Sequence, residues 1–261
     1  AKAYRTALKH MRTEEDSSRA LLGAVCSLIM DGDARKSGSY RKLFDKRFPN
    51  DRNGRARIIF TEGLHHLAGK RYEKAADRFN DLVSKYGQTA WADNALYHRA
   101  LSYYYNNDKE KSFKLFRETA EKYPRSEFVP AARFKVGMIL HGNEEYMRAA
   151  HEFQAVLEDK RADSETRYRA THNAALDFQK VAAWVDAARM YERLLKDFPD
   201  RTSESQAHLK IGFCLVQGSQ FEEALKHFRK ADVNANEEDR PEILYWIATC
   251  FSKLGRHEKA I

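Results

Sequence analysis

A small residue followed four positions later by an aromatic one recurs along this chain as Ala75/Phe79, Ser112/Phe116, Ala149/Phe153, Ala187/Tyr191 and Ala224/Phe228, and Ala260 opens a sixth copy. Successive small residues lie 37, 37, 38, 37 and 36 positions apart. Three positions before each stands Tyr72, Lys109, Tyr146, Trp184, Phe221 or His257, mostly aromatic. Twelve before each stands Gly63, Ala100, Gly137, Ala175, Gly212 or Ala248, always small. Twelve after come Gly87, Pro124, Arg161, Pro199 and Asn236, three of them helix breakers. Self-similarity at this period means one supersecondary unit repeated in tandem, which constrains the fold more than any local motif does.

Two helices that cross at close distance need a side chain of Gly or Ala size at the crossing, with large rings filling the space beside it. Pro or Gly after the second helix stops it, because Pro cannot donate to the helix ladder and biases its predecessor away from α. Each unit therefore reads as helix A, turn, helix B, stop. A single hairpin cannot bury its apolar faces, so neighbours must stack. The expected fold is all-α, a right-handed α-solenoid of stacked antiparallel helix pairs with helices A lining a concave groove. With only 5 Pro and 12 Gly the chain has few breaks for strands and hairpins, and 43% apolar residues suffices for a continuous core.

Residues 56–261 hold five such units and a truncated sixth. Residues 1–55 read as divergent N-terminal helices, with Tyr40, Leu43 and Phe44 suiting a helix B before Phe48-Pro49 and residues 1–16 reading as the remnant of a preceding helix. The sixth unit stops at Ala260-Ile261, inside its helix B and without a polar cap, so the chain is expected to be a fragment of a longer protein. The longest apolar run, Ala20 to Met30, is shorter than the ~18 residues a membrane-spanning helix needs and reads as a buried helix. Cys26, Cys214 and Cys250 form no CxxC pair and have no His at ligand spacing, so buried free thiols are expected, with no metal site and no cofactor.

These positions resemble the tetratricopeptide repeat (TPR), whose pattern of a large residue, Gly or Ala, aromatic, Ala, aromatic and Pro is matched without a gap by Gly212, Leu215, Phe221, Ala224 and Phe228, and by Gly63, Tyr72, Ala75 and Phe79. The resemblance covers about residues 20–261. Departures are Lys109 and His257 for the aromatic, Ser112 for Ala, and Glu62 and Arg99 where an apolar residue is usual. The period of 36–38 is similar to that of bacterial envelope TPR proteins of the outer-membrane assembly lipoprotein and Tol-Pal coordinator type. That resemblance implies a periplasmic or cell-envelope scaffold; a cytoplasmic adaptor or regulatory module is the alternative.

Recognition is expected on the helix-A residues that are not used against helix B. One such register holds Phe60, Tyr97, Phe134, His172, Leu209 and Tyr245, and another, seven residues on, holds Leu67, Tyr104, His141, Gln179, Val216 and Ser252. The candidate groove residues are Phe60, Tyr97, Tyr104, Tyr105, Phe134 and His141, with Arg169, His172, Asn173 and Lys180 as further polar handles. Tyr joins apolar area to a hydroxyl and suits both an interface and packing between adjacent helices A, and both readings stay open here. The carboxylate clamp of heat-shock co-chaperones needs Lys at the first register, which this chain lacks, so an internal or apolar segment of a partner protein is the expected ligand.

The formal charge of +8 is local: residues 1–57 hold 14 basic and 7 acidic side chains. Arg35, Lys36, Arg41, Lys42, Lys46, Arg47, Arg52, Arg55 and Arg57 form a cluster suited to an acidic partner, a polyanion such as a phosphate-bearing polymer, or an anionic membrane surface, with a solvated helix face as the plainer reading and nucleic acid disfavoured. The chain contains no Walker loop, G-x-S-x-G, HExxH or dinucleotide fingerprint, and adjacent His65 and His66 point in different directions on a helix. A non-catalytic scaffold is the expected function.

Overall fold

The computed structural model describes residues 13–256 and 258. Among the described residues there are thirteen α-helices and no strand. The helices are α1 (Glu14–Met30), α2 (Ala34–Arg47), α3 (Arg52–Ala68), α4 (Tyr72–Tyr86), α5 (Ala92–Tyr105), α6 (Lys109–Lys122) and α7 (Val129–Gly142). They continue as α8 (Tyr146–Glu158), α9 (Ser164–Lys180), α10 (Trp184–Asp197), α11 (Glu204–Gln217), α12 (Phe221–Val233) and α13 (Arg240–Lys253), with a 3-10 turn at Pro199–Arg201. Two compact units are defined, one ending at Ala132 and the other beginning at Arg133, so the division falls within α7.

In the first unit α1 packs on α2 and α3, α3 on α4, α4 on α5 and α5 on α6. In the second, α9 packs on α8 and α10, α11 on α10 and α12, and α12 on α13. The aromatic register Tyr72, Tyr146, Trp184 and Phe221 is the first residue of each helix B, and Lys109 takes the same place in α6 behind the N-cap of Asp108. Side chains of Thr13, Asp33, Asp51, Asp108, Asp163 and Ser203 each accept an amide of the first turn of a helix, satisfying donors that lack an intrahelical partner.

The small-residue register is the helix crossing. A Cβ on Gly137 would stand 2.6 Å from Cε1 of Phe153, and one on Gly212 2.6 Å from Cε1 of Phe228. Gly63 is closed in the same way by Phe79. The aromatic partners Phe79, Phe116, Phe153 and Phe228 are fully buried, as are Ala75, Ser112, Ala149, Ala187 and Ala224.

Among the described residues, every turn that follows a helix A contains one residue at positive φ: Gly32, Lys70, Asn107, Glu144, Ala182, Ser219 and Gly255. At Lys70 the turn closes with Arg71 N–H donating to His66 O and Lys70 N–H to Leu67 O, the left-handed helix stop in which glycine is normally preferred. Gly32 turns α1 into α2, so the N-terminal segment is a complete hairpin.

Glu14, Glu15 and Asp16 are thus the first turn of α1, capped by Thr13, and not a remnant of a preceding helix. Residues 1–12 lie outside the described residues, as do His257, Ala260 and Ile261 of the sixth copy. The expected division between residues 55 and 56 falls inside the first turns of α3. The Ala20–Met30 run is the buried face of α1, where Leu21, Ala24 and Val25 have no exposure. Cys26, Cys214 and Cys250 are free, and burial raises the pKa of each thiol.

Candidate partner-binding surface

The structure divides the ten candidate groove residues into two groups. Phe60, Tyr97 and Phe134 are covered, at 6%, 9% and 5% exposure. Phe60 packs on Phe79 and against Trp91 and His98 of the following helix A, with ring centroids 5.1–5.6 Å apart. Tyr97 stacks on Phe128 at 4.8 Å and meets Phe116 at 5.7 Å, and burial pushes its phenol pKa up to about 12. Phe134 meets Phe153 at 5.4 Å, and the Arg169 guanidinium lies 5.0 Å above its ring. These three are core rings and not open groove surface, because the next element of the stack lies across them. Leu209 is buried in the same register, whereas His172 is exposed and Tyr245 is 62% exposed.

The second group stays accessible. Tyr104 is half-buried, edge-on to Phe116 and Tyr105, and Tyr105 is 51% exposed beside Tyr72 at 6.0 Å. Arg169 and Lys180 are exposed, and Asn173 is half-buried with its amide against Met138 Sδ. His141 Nδ1 sits 2.6 Å from Oδ1 of Asp177. That carboxylate is fully buried, its Oδ2 has no partner, and burial raises its pKa.

In the second unit a cavity of about 350 Å³ opens beside Lys180, walled by Leu176, Trp184, Leu209 and Phe213 and edged by Gln179, Lys210 and Glu242. Trp184 meets Phe213 edge-on at 5.9 Å, Phe213 meets Trp246 at 5.4 Å, and Trp246 stacks on Phe228. Gln179 is held in place, accepting from Tyr191 Oη at 3.0 Å and donating to Cys214 Sγ. Glu242 accepts from Trp246 Nε1, while Lys180 and Lys210 are exposed at the rim. A half-buried aromatic wall with two cations beside it can take an apolar side chain and pair with a carboxylate or backbone carbonyl next to it.

Leu176, Trp184, Lys210 and Phe213 were not among the expected groove residues. A signal for two of them was present: the position following the small residue reads Leu64, Leu101, Met138, Leu176, Phe213 and Thr249, five of six apolar, and each is half-buried.

Of the nine basic candidates, several are committed within the first unit. Arg41 pairs with Glu62, Arg55 with Asp45 at 2.9 Å, and Lys36 with Asp33 at 2.5 Å. Arg52 donates to Lys85 O, Arg57 lies over Trp91, and Arg47 lies over Phe48. Arg35, Lys42 and Lys46 are exposed on α2, spaced so as to share one side of that helix.

Tetratricopeptide-repeat family models match residues 94–126 and 173–239. With the helix register above, the fold is all-α and of the TPR solenoid class, and the chain resembles the tetratricopeptide repeat family. It resembles envelope members of that family: outer membrane protein assembly factor BamD of Caulobacter vibrioides is 27% identical over 175 aligned residues, covering 59% of this chain and 57% of that protein. The chain therefore spans little more than half the length of that relative. Among solved structures, a tetratricopeptide repeat protein from Parabacteroides merdae superposes with a TM-score of 0.51 at 14% identity, covering 93% of this chain and 89% of its own. YrrB, described as a TPR protein with an unusual peptide-binding site, gives 0.51 at 16% identity over 71% of this chain and 88% of its own. These structural likenesses concern the fold. TPR units serve protein–protein interaction, and no helix among the described residues is long and apolar enough to cross a membrane.

Proposed function

We propose that this chain is a non-catalytic scaffold of a bacterial envelope assembly, holding an extended segment of a partner protein against the helix-A side of its second unit. The observation that supports this reading best is the aromatic cavity of Leu176, Trp184 and Phe213 with Lys180 and Lys210 at its rim. Buried aromatic anchors beside cations are the features that dominate affinity in protein interfaces. Arg169, His172 and Asn173 lie on α9 with Lys180 and extend the polar side of the same surface, and Tyr104 and Tyr105 offer a second aromatic patch in the first unit. The BamD relative supports the envelope location, and the description of YrrB supports a peptide as the class of ligand.

The test is affinity capture from an envelope extract with the wild-type chain, a Phe213→Ala variant and a Lys180→Gln/Lys210→Gln variant. Loss of the same partner with Phe213→Ala, persisting at high salt in the wild type, supports the cavity. Capture that ignores Phe213 and vanishes with salt would move the function to α2, where Arg35, Lys42 and Lys46 flank Leu43, itself 45% exposed, and suit an acidic partner or an anionic membrane surface.

A further inference from the structure

Arg55 and Arg167 stand in one register, each eight residues before the small residue of its hairpin, Gly63 and Ala175. Their surroundings differ in one respect. Arg55 Nε donates to Asp45 Oδ1 at 2.9 Å, and its Nη1 donates to Pro49 O at 2.6 Å. Asp45 lies ten residues before Arg55, and ten residues before Arg167 the chain has Leu157. Arg167 keeps a backbone contact, Nη2 donating to Asp159 O at 3.3 Å, but its Nε is buried and has no partner. The neighbouring Asp159 carboxylate pairs with Arg161 at 2.9 and 2.6 Å and makes no bond to this Nε. A buried N–H donor with no acceptor is disfavoured, and a charged acceptor is its strongest remedy.

Arg167 also lines a cavity of about 620 Å³ in the second unit, together with Leu157, Lys160, Arg193, Asp197 and Phe198 among others. It shares no lining residue with the Trp184 cavity. Its single acid, Asp197, is paired with Arg193 Nε at 3.1 Å, and Arg193 Nη2 reaches Leu157 O. Lys160 is exposed at the edge. The lining thus holds three cations to one anion, with Leu157 and Phe198 as an apolar wall.

We propose that this cavity binds a carboxylate-bearing ligand, which pairs with the Arg167 guanidinium and Lys160 as the Asp45 carboxylate pairs with the Arg55 guanidinium. The carboxylate comes either from a small acid or from an acidic side chain of a bound protein segment, and the apolar wall favours one attached to a short hydrocarbon stem. The site stands apart from the scaffold reading and does not depend on it.

The experiment is an arginine side-chain Nε–Hε NMR titration of the full chain with glutarate, with a capped peptide bearing one Glu beside Leu, with neutral glutaramide, and with inorganic phosphate and chloride at matched ionic strength. A saturable shift of the Arg167 Hε signal is expected, assigned by its loss in Arg167→Lys. Response to glutarate and peptide alike indicates a general carboxylate site, and response to the peptide alone indicates a protein segment as source; both support the proposal. Affinity should fall at least about tenfold in Arg167→Lys, read there from the Hε signal of Arg193 in the same lining, and about threefold in Lys160→Gln, an exposed change that leaves the fold intact. An Arg167 signal unmoved by either carboxylate, as a trapped water at Nε would give, overturns the proposal. So does an equal response to chloride or phosphate.

Discussion

Gly212 faces the edge of the Phe228 ring so closely that a Cβ would stand 2.6 Å from Cε1 and 2.8 Å from Cδ1 and Cζ. The ring is fully buried and cannot swing away. Gly212→Ala should therefore destabilise the chain by about 1–3 kcal/mol through overpacking. Gly38, exposed in the middle of α2 with nothing within 4 Å of a built Cβ, supplies the contrast: Gly38→Ala should stabilise by roughly 0.5–1 kcal/mol. Urea unfolding at constant m-value separates the two, and equal midpoints would refute the close crossing.

Five A-to-B turns place a residue other than glycine at positive φ, among them Ala182 at 58° and Ser219 at 59°. An L side chain in that region is strained, and relief outweighs the added freedom of the unfolded chain. Ala182→Gly should raise stability by about 0.5–1 kcal/mol, and Gly32→Ala, at φ 74°, should lower it by about 1 kcal/mol. Calorimetric melting temperatures moving in opposite directions are the expected readout.

His208 and His227 face each other across the α11/α12 hairpin with Nδ1 atoms 3.0 Å apart. Burial, then the neighbouring imidazole, lowers the pKa of His227 to about 4. Because this folded value lies below the unfolded one, the unfolded chain binds more protons between about pH 6.5 and 4. Stability from this group is complete above that window and is lost as pH falls through it. A His227→Gln chain should show a shallower decline of unfolding free energy between pH 6.5 and 4; an unchanged slope would place the titration elsewhere.

His141 is the one hydrogen-bond partner recorded for the fully buried Asp177 carboxylate. Removing it strands a buried acid, so His141→Ala should cost about 3 kcal/mol, more than its half-exposed position suggests. The double variant with Asp177→Ala should recover part of that loss, a coupling of about 1–3 kcal/mol measurable in a double-mutant cycle.

The repeat, the helix order, the stop after helix B and the Gly–Phe crossing were all legible in the sequence, because each is set by side-chain size at a fixed spacing within one hairpin. Phe48-Pro49 likewise marked the end of α2, whose Tyr40 and Phe44 are buried. Two features were not legible. Which helix-A rings stay open depends on what the following element lays across them: Trp91 and His98 cover Phe60, and Phe128 covers Tyr97, from 31 to 38 residues further on. The period within a helix does not encode that offset, so the sequence left Phe60, Tyr97 and Phe134 open between groove and packing and did not single out Phe213 as surface. The unpaired Nε of Arg167 was equally hidden, since an arginine reads alike at positions 55 and 167, and only the tertiary structure decides that Arg55 Nε meets the Asp45 carboxylate while Arg167 Nε meets no acceptor.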